Sequence, residues 1–237
     1  MQLLYFIPGT MCNELLWSKL WPLLGKSCQL IHLTIPKEGN LVEVIAELVL
    51  QIKTSSHGQK FGLIGFSLGG YLASAVSLEF DSQLEKLMVI ANTPKALPDK
   101  ELIQRERIIS TVKSHGYHGI NRSRVTSFID EKQHHNNELI ELIQQMDSSF
   151  GAQELSHHIV ALSKRKDLCL ELQQSKKKIW FCHGDSDHLV DSPRMQIMQL
   201  ESACIKLKKV PQCGHFLPLE QPIQLSILIR DWLQDAS

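Results

Sequence analysis

The fold is decided by the stretch Phe61-Gly62-Leu63-Ile64-Gly65-Phe66-Ser67-Leu68-Gly69-Gly70. An apolar run short enough for a buried strand ends in Gly-x-Ser-x-Gly, and Tyr71–Val76 continues as a helix. Strand, sharp turn and helix predict a nucleophile elbow, whose flanking glycines relieve the crowding around a strained serine. We therefore expect Ser67 to be a nucleophile at the carboxyl edge of a sheet, with the backbone N–H of Leu68 as an oxyanion donor.

Length and charge narrow the range of partners. The 237 residues suit one core carrying an insertion, and 43% hydrophobic residues are enough to bury that core. Lys plus Arg and Asp plus Glu both number 25, so the charge balance does not favour a nucleic acid or an anionic membrane as a partner. We expect a small-molecule substrate, acted on by a monomer or a homodimer.

The cysteines and the first residues indicate a compartment. The six cysteines lack metal-ligand spacing such as Cys-x-x-Cys, and the better interpretation is that they are buried free thiols. The apolar start at Met1–Ile7 has no basic residues before it, and Pro8-Gly9 stops it well short of a signal-peptide core. A reduced, cytoplasmic protein is predicted.

Hydrophobic patterning along the chain alternates strands with helices. Asn13 is a plausible N-cap for a helix carrying Leu15, Leu16 and Leu20, and an amphipathic helix follows at Leu41–Ile52. The strands predicted besides the elbow strand are Leu3–Ile7, Gln29–Ile35, Leu84–Ala91, Ile179–Cys182 and Ile205–Val210. Alternation of this kind predicts an α/β fold with a mostly parallel sheet of about six strands and helices on both faces.

The character of the sequence changes over residues 95–174. Strands vanish there, charge rises, and apolar residues recur at helical spacing. We interpret 95–174 as a helical lid inserted into an α/β core formed by residues 1–94 and 175–237. Active sites of parallel sheets lie beyond the carboxyl ends of the strands, which the lid would cover.

Two further residues complete a catalytic constellation. A serine hydroxyl needs an imidazole to take its proton, and the imidazole needs a carboxylate to fix its tautomer. Asp187 follows the Ile179 strand and His215 follows the last strand, so both fall at strand ends near Ser67. Asp185 is an alternative acid, although spacing favours Asp187; His188 is too close to the acid to be the base.

The chain resembles the α/β-hydrolase superfamily over essentially its whole length. The resemblance rests on Gly-Phe-Ser-Leu-Gly-Gly at 65–70, on Gly184-x-x-Asp187-x-x-Val190, and on Gly214-His215 before a final helix. It is similar in particular to small lidded carboxylesterases such as the carrier-protein methyl ester esterase of biotin synthesis. The segment 161–167, which contains Arg165, resembles their junction between lid and sheet, and we expect Arg165 to bind substrate there.

Two departures from the superfamily pattern matter. The antiparallel strands that usually open the fold have no room before Leu3, so a shortened sheet is expected. The oxyanion loop, residues 8–12, has Pro8-Gly9 where the superfamily usually has His-Gly. The donor in that loop is the backbone N–H of the residue after the glycine, so the resemblance assigns Thr10 as partner to Leu68.

Together these patterns predict a serine hydrolase that cleaves a carboxylic ester, possibly a thioester, with no cofactor and no metal. The pairs His134-His135 and His157-His158 occupy consecutive helical positions, which point about 100° apart and cannot readily share an ion. Two alternatives stay open. One is a lyase resembling the cyclohexadiene-forming enzyme of menaquinone synthesis, which tends to have arginine where Tyr71 stands; the other is a non-catalytic binding protein of hydrolase fold.

Overall fold

A six-stranded sheet lies at the centre of the computed structural model, which describes residues 1–235. The strands are Gln2–Ile7 (β1), Cys28–His32 (β2), Phe61–Phe66 (β3), Leu84–Ile90 (β4), Lys178–Gly184 (β5) and Ile205–Val210 (β6). Their order across the sheet is β2-β1-β3-β4-β5-β6, and all five neighbouring pairs are parallel. The predicted α/β fold with a shortened parallel sheet is confirmed.

The sheet is buried on both faces because its strands carry apolar residues at odd and even positions alike. In β1, Leu3, Tyr5 and Ile7 belong to one core cluster, whereas Leu4 and Phe6 belong to the cluster on the opposite face. Side chains alternate across a strand, so a continuous apolar run requires helices on both sides. Strand β2 is half-buried, as expected at the edge of the sheet.

Helices follow most strands. The α-helices are Trp21–Leu24 (α1), Leu41–Ser56 (α2), Leu68–Ser77 (α3), Asp99–His115 (α4), Arg122–Thr126 (α5), Asn137–Ser148 (α6), Ala152–Ile159 (α7), Cys169–Gln174 (α8), Ser192–Glu201 (α9), Leu217–Glu220 (α10) and Pro222–Gln234 (α11). Short 3-10 turns occur at Glu14–Trp17, Gly25–Ser27, Glu131–Gln133 and Ala161–Ser163. Within residues 1–235, no helix combines the length and the apolar character needed to cross a membrane.

The helix expected after Asn13 is shorter than predicted. The Asn13 side chain does accept the N–H of Leu15, but it caps the 3-10 turn Glu14–Trp17, and α1 begins separately at Trp21. Pro22 explains the interruption, because proline has no N–H to donate and fits only the first turn of a helix.

The chain between β4 and β5 contains α4 to α8. Side chains from this segment enter both core clusters: Ile140 and Ile143 pack on one face of the sheet, and Leu168 and Leu172 pack on the other. The segment is therefore anchored to the same core as the strands. That residues 95–174 form a lid separate from the α/β core stays a prediction.

Candidate active site

Ser67 occupies the sharp turn between β3 and α3. Its backbone has φ 52° and ψ −118°, a positive φ that side-chain-bearing residues rarely adopt. The turn is held because the Ser67 N–H donates to the Ile90 carbonyl at 2.9 Å. A Cβ at Gly65 would collide with the Gly69 backbone, and one at Gly69 would collide with the Ile7 carbonyl. The glycines therefore let the strained turn pack against β1.

The structure brings Ser67, His215 and Asp187 together. The His215 Nε2 atom lies 3.0 Å from the Ser67 Oγ atom, and its Nδ1 atom lies 2.9 Å from Asp187 Oδ2. A carboxylate only accepts, so Nδ1 carries the proton and Nε2 is free to accept the serine proton. His215 and Asp187 are buried, whereas Ser67 is partly exposed. This geometry can transfer a proton from Ser67 to His215.

Asp187 is ionised in this environment. Burial raises the pKa of its carboxyl group, but the neighbouring His215 ring and the hydrogen bonds from His215 and the Leu189 N–H outweigh burial and hold the pKa below its ordinary value. The alternative acid, Asp185, instead accepts the Cys213 N–H at 3.3 Å and is exposed. The contact to the imidazole therefore belongs to Asp187.

A buried carboxylate holds the loop that carries His215. Glu220 accepts the N–H of Phe216 on Oε1 at 2.9 Å, and on Oε2 it accepts the N–H groups of Gly214 at 3.0 Å and Asp130 at 2.8 Å. Burial raises the pKa of Glu220 above its ordinary value even though the three N–H donors oppose the shift. Glu220 thus fixes both neighbours of His215 and ties them to the segment between β4 and β5.

That segment also contacts the histidine directly. The His215 N–H donates to the Phe128 carbonyl at 2.6 Å, and the Ser186 hydroxyl donates to Asp130 Oδ2 at 2.6 Å. A Cβ at Gly214 would collide with the same Phe128 carbonyl, so the close approach requires glycine. Residues 128–130 therefore bind the two loops that carry Asp187 and His215.

The predicted oxyanion donors lie beside the serine. The Leu68 N–H is at the start of α3, and Gly9 packs so closely that a Cβ there would lie 3.1 Å from the Ser67 Cβ. Within residues 1–235, the N–H groups of Thr10 and Leu68 donate to no protein acceptor. Two unpaired backbone donors at this position are available to a developing oxyanion.

A cavity of about 130 Å³ opens beside the histidine and the aspartate. Its lining residues are Arg124, Ser127, Phe128, Ser186, Asp187, His188, Leu189 and His215. The Arg124 guanidinium lies 4.3 Å from the centroid of the Phe128 ring, a cation–π distance. The cavity therefore has one apolar wall and a cation at its edge.

Arg165, the substrate ligand predicted from the sequence, has other contacts. Its Nε donates to the Leu162 carbonyl at 2.9 Å, and its guanidinium lies 4.9 Å from the centroid of the Tyr71 ring. Burial, with the nearby Arg105 cation, lowers the pKa of Arg165 to about 10. These contacts tie the chain before α8 to helix α3, and a role in substrate binding stays a prediction.

Within residues 1–235, the histidine, cysteine, aspartate and glutamate side chains form no group of three or more that could hold a metal ion. The two adjacent histidines of α7 face different partners: His157 Nε2 lies 2.7 Å from the Gly39 carbonyl, and His158 Nδ1 lies 3.3 Å from the Met11 N–H. All six cysteines are free thiols.

The model of the Ndr family matches residues 35–235. The chain belongs to the Ndr family. The span shared with the Ndr model contains Ser67, Asp187 and His215, whereas Thr10 lies before it. Comparison with curated protein sequences found no match.

Solved structures of α/β-hydrolases are similar to this Ndr-family chain over nearly its full length. An esterase from Thermogutta terrifontis with malate bound is 20% identical, with a TM-score of 0.88 over 99% of this chain and 90% of its own. An enol-lactonase from Burkholderia xenovorans is 11% identical, with a TM-score of 0.85 over 99% and 92% of the two chains. MenH from S. aureus is 16% identical, with a TM-score of 0.79 over 99% and 94%. The α/β-hydrolase fold is confirmed.

Proposed function

We propose that this protein is a serine esterase that cleaves a carboxylic ester of a small molecule through an acyl-enzyme. One observation carries the proposal: Ser67 Oγ, His215 and Asp187 form a continuous hydrogen-bonded chain, with contacts of 3.0 Å and 2.9 Å, beside two unpaired N–H donors. This combination supports the roles of nucleophile, base and orienting acid for the three side chains, and the unpaired N–H groups support oxyanion stabilisation.

The first half of the reaction forms the acyl-enzyme. His215 Nε2 takes the Ser67 proton while Oγ attacks the ester carbonyl carbon, and the carbonyl π electrons move to the oxygen. The N–H groups of Thr10 and Leu68 stabilise this oxyanion, and Asp187 stabilises the imidazolium. The oxyanion then collapses, the bond to the alkoxy oxygen breaks, and Nε2 returns the proton to the departing alcohol.

The second half regenerates the enzyme. Water replaces the alcohol, His215 Nε2 takes one of its protons, and the hydroxyl oxygen attacks the acyl carbon. Collapse of the second oxyanion breaks the bond to Ser67 Oγ, which recovers its proton from Nε2 as the carboxylic acid leaves. The residues supply every proton transfer, so the proposal invokes no cofactor.

The cavity of about 130 Å³ adjoins His215 and Asp187, and its lining does not include Ser67. Its volume therefore sets no limit on the acyl group. The described relatives include an esterase and an enol-lactonase, and both names denote cleavage of an ester bond. We therefore expect hydrolysis of at least one simple carboxylic ester.

The lyase alternative has less support. The similar lyases tend to have an arginine where Tyr71 stands. Here the Tyr71 side chain is buried, and its hydroxyl donates to the Lys166 carbonyl at 3.1 Å. The binding-protein alternative also has less support, because such proteins commonly lose a triad member. The six free cysteines support a reducing compartment such as the cytoplasm.

Turnover of p-nitrophenyl esters from acetate to decanoate tests the proposal, with the Ser67→Ala variant as the matched control. We expect hydrolysis of at least one ester in this series, and we expect its rate to fall by about four to six orders of magnitude in Ser67→Ala. A parent protein with no activity on any ester would refute the esterase and favour the lyase or the binding protein. Equal activity in Ser67→Ala would show that another group performs the hydrolysis.

A further inference from the structure

Helix α7 carries a buried histidine that contacts the oxyanion loop, residues 8–12. His158 is 3% exposed, and its Nδ1 accepts the Met11 N–H at 3.3 Å across 147 residues of sequence. A backbone N–H can only donate, so Nδ1 carries no proton and the ring is neutral. Burial, together with the neighbouring His157, lowers the pKa of His158 to about 4, which keeps the ring an acceptor near neutral pH.

The contact fixes one peptide unit of the loop at both ends. The Thr10–Met11 peptide offers its N–H to His158, and its carbonyl accepts the Cys12 thiol at a sulfur–oxygen distance of 3.4 Å. Met11 itself has a positive φ of 54°, which a side-chain-bearing residue adopts only where its surroundings stabilise it. Held in this way, the peptide restricts ψ of Thr10, the residue that follows Gly9, which packs against Ser67.

The loop itself has no histidine that could brace it. Pro8 stands where the superfamily usually has a histidine whose side chain braces the loop, and a proline ring can make no hydrogen bond of that kind. His158 supplies an imidazole from a different part of the chain, between β4 and β5.

We propose that His158 is a positioning residue that braces the oxyanion loop and so holds the Thr10 N–H in place for the developing oxyanion. The proposal rests on the proposed esterase function. It couples the segment between β4 and β5 to the chemistry at Ser67, because displacement of α7 would release the loop. Oxyanion donors act on the transition state rather than on the bound ester, so the effect belongs in kcat and not in KM.

The test compares His158→Ala and His158→Asn, with Gln153→Ala as the control. Removal of one oxyanion donor costs about 100- to 1,000-fold in kcat, so loss of a brace behind the donor should cost about 10- to 100-fold. We expect that loss in His158→Ala with KM within about twofold of the parent. In His158→Asn the side-chain oxygen can occupy the Nδ1 position, and most of kcat should return. Gln153→Ala, at an exposed position of the same helix, should match the parent.

Hydrogen exchange of the Met11 amide, measured on the same samples, reports on the contact with His158 independently of ester turnover. Faster exchange in His158→Ala, restored in His158→Asn, supports the brace. Unchanged exchange, or a kcat in His158→Ala equal to that of Gln153→Ala, overturns it. If kcat falls equally in the alanine and asparagine variants, together with the melting temperature, the role is merely structural and the proposal fails. A parent protein without ester turnover refutes the esterase, whereas the exchange data still decide the brace.

Discussion

Replacing Glu220 by glutamine should weaken both the fold and the reaction. The carboxylate accepts three backbone N–H groups, one on Oε1 and two on Oε2. Glutamine retains one acceptor oxygen and turns an NH₂ group toward at least one N–H donor. A buried N–H without an acceptor costs about 1–3 kcal/mol, and the remaining bonds lose the strengthening that a charged acceptor provides. We expect a total loss of roughly 3 kcal/mol in the free energy of unfolding.

A chain of this size loses about 2–4 °C of melting temperature per kcal/mol, so Glu220→Gln should melt roughly 6–12 °C below the parent. The same change loosens the loop that aims His215 at Ser67, and we expect kcat for p-nitrophenyl butyrate to fall about tenfold or more. Calorimetry and steady-state kinetics measure the two effects, with Glu79→Gln as an exposed control. A variant that melts at the same temperature as the parent would refute the stabilising role of the three hydrogen bonds to Glu220. Lower stability with unchanged kcat would show that these bonds do not position His215.

Two further predictions follow from the charges. Asp187→Asn should lower kcat about 10⁴-fold, because the imidazole loses the anion that orients it. In the control Asp185→Asn, kcat should stay within about tenfold of the parent value. The reverse order in steady-state assays would make Asp185 the acid. His158 has a pKa of about 4 in the folded protein, below the ordinary value of 6.5, so the unfolded chain binds its proton first as the pH falls. The stability that the neutral His158 ring contributes is therefore complete above pH 6.5 and is lost as the pH falls toward 4. Calorimetry at pH 7 and pH 4.5 should show a smaller acid-induced loss of stability in His158→Asn, by roughly 2 kcal/mol, and an equal loss in both proteins would contradict the assignment.

The sheet could be predicted from the sequence because its signals are local. The central strands β1, β3 and β5 are short, largely apolar runs followed by proline or a polar residue. The chain order of Ser67, Asp187 and His215 places all three after strands whose carboxyl ends share one edge of the sheet. The helix after Asn13 was predicted too long, although Pro22 marks the interruption. The apolar spacing continues past Pro22, so spacing alone predicts one continuous helix.

The supporting contacts could not be predicted because they join distant parts of the chain. Glu220 meets the Asp130 N–H across 90 residues, and His158 meets Met11 across 147. Glu220 also bonds locally to Gly214 and Phe216, but no sequence pattern pairs it with Asp130 or pairs His158 with Met11. Arg124 lines the cavity beside His215, whereas Arg165 contacts Leu162 and Tyr71, and the sequence alone does not reveal either set of contacts.

Labelling of the protein with a fluorophosphonate probe tests the central claim most directly, because the reagent requires an activated serine and an oxyanion site in one place. We predict one probe per chain, located on Ser67 by peptide mass mapping. We also predict no labelling in His215→Ala and no change in labelling of the parent protein when a chelator is added. An unlabelled parent protein, or a probe attached to any residue other than Ser67, would contradict it.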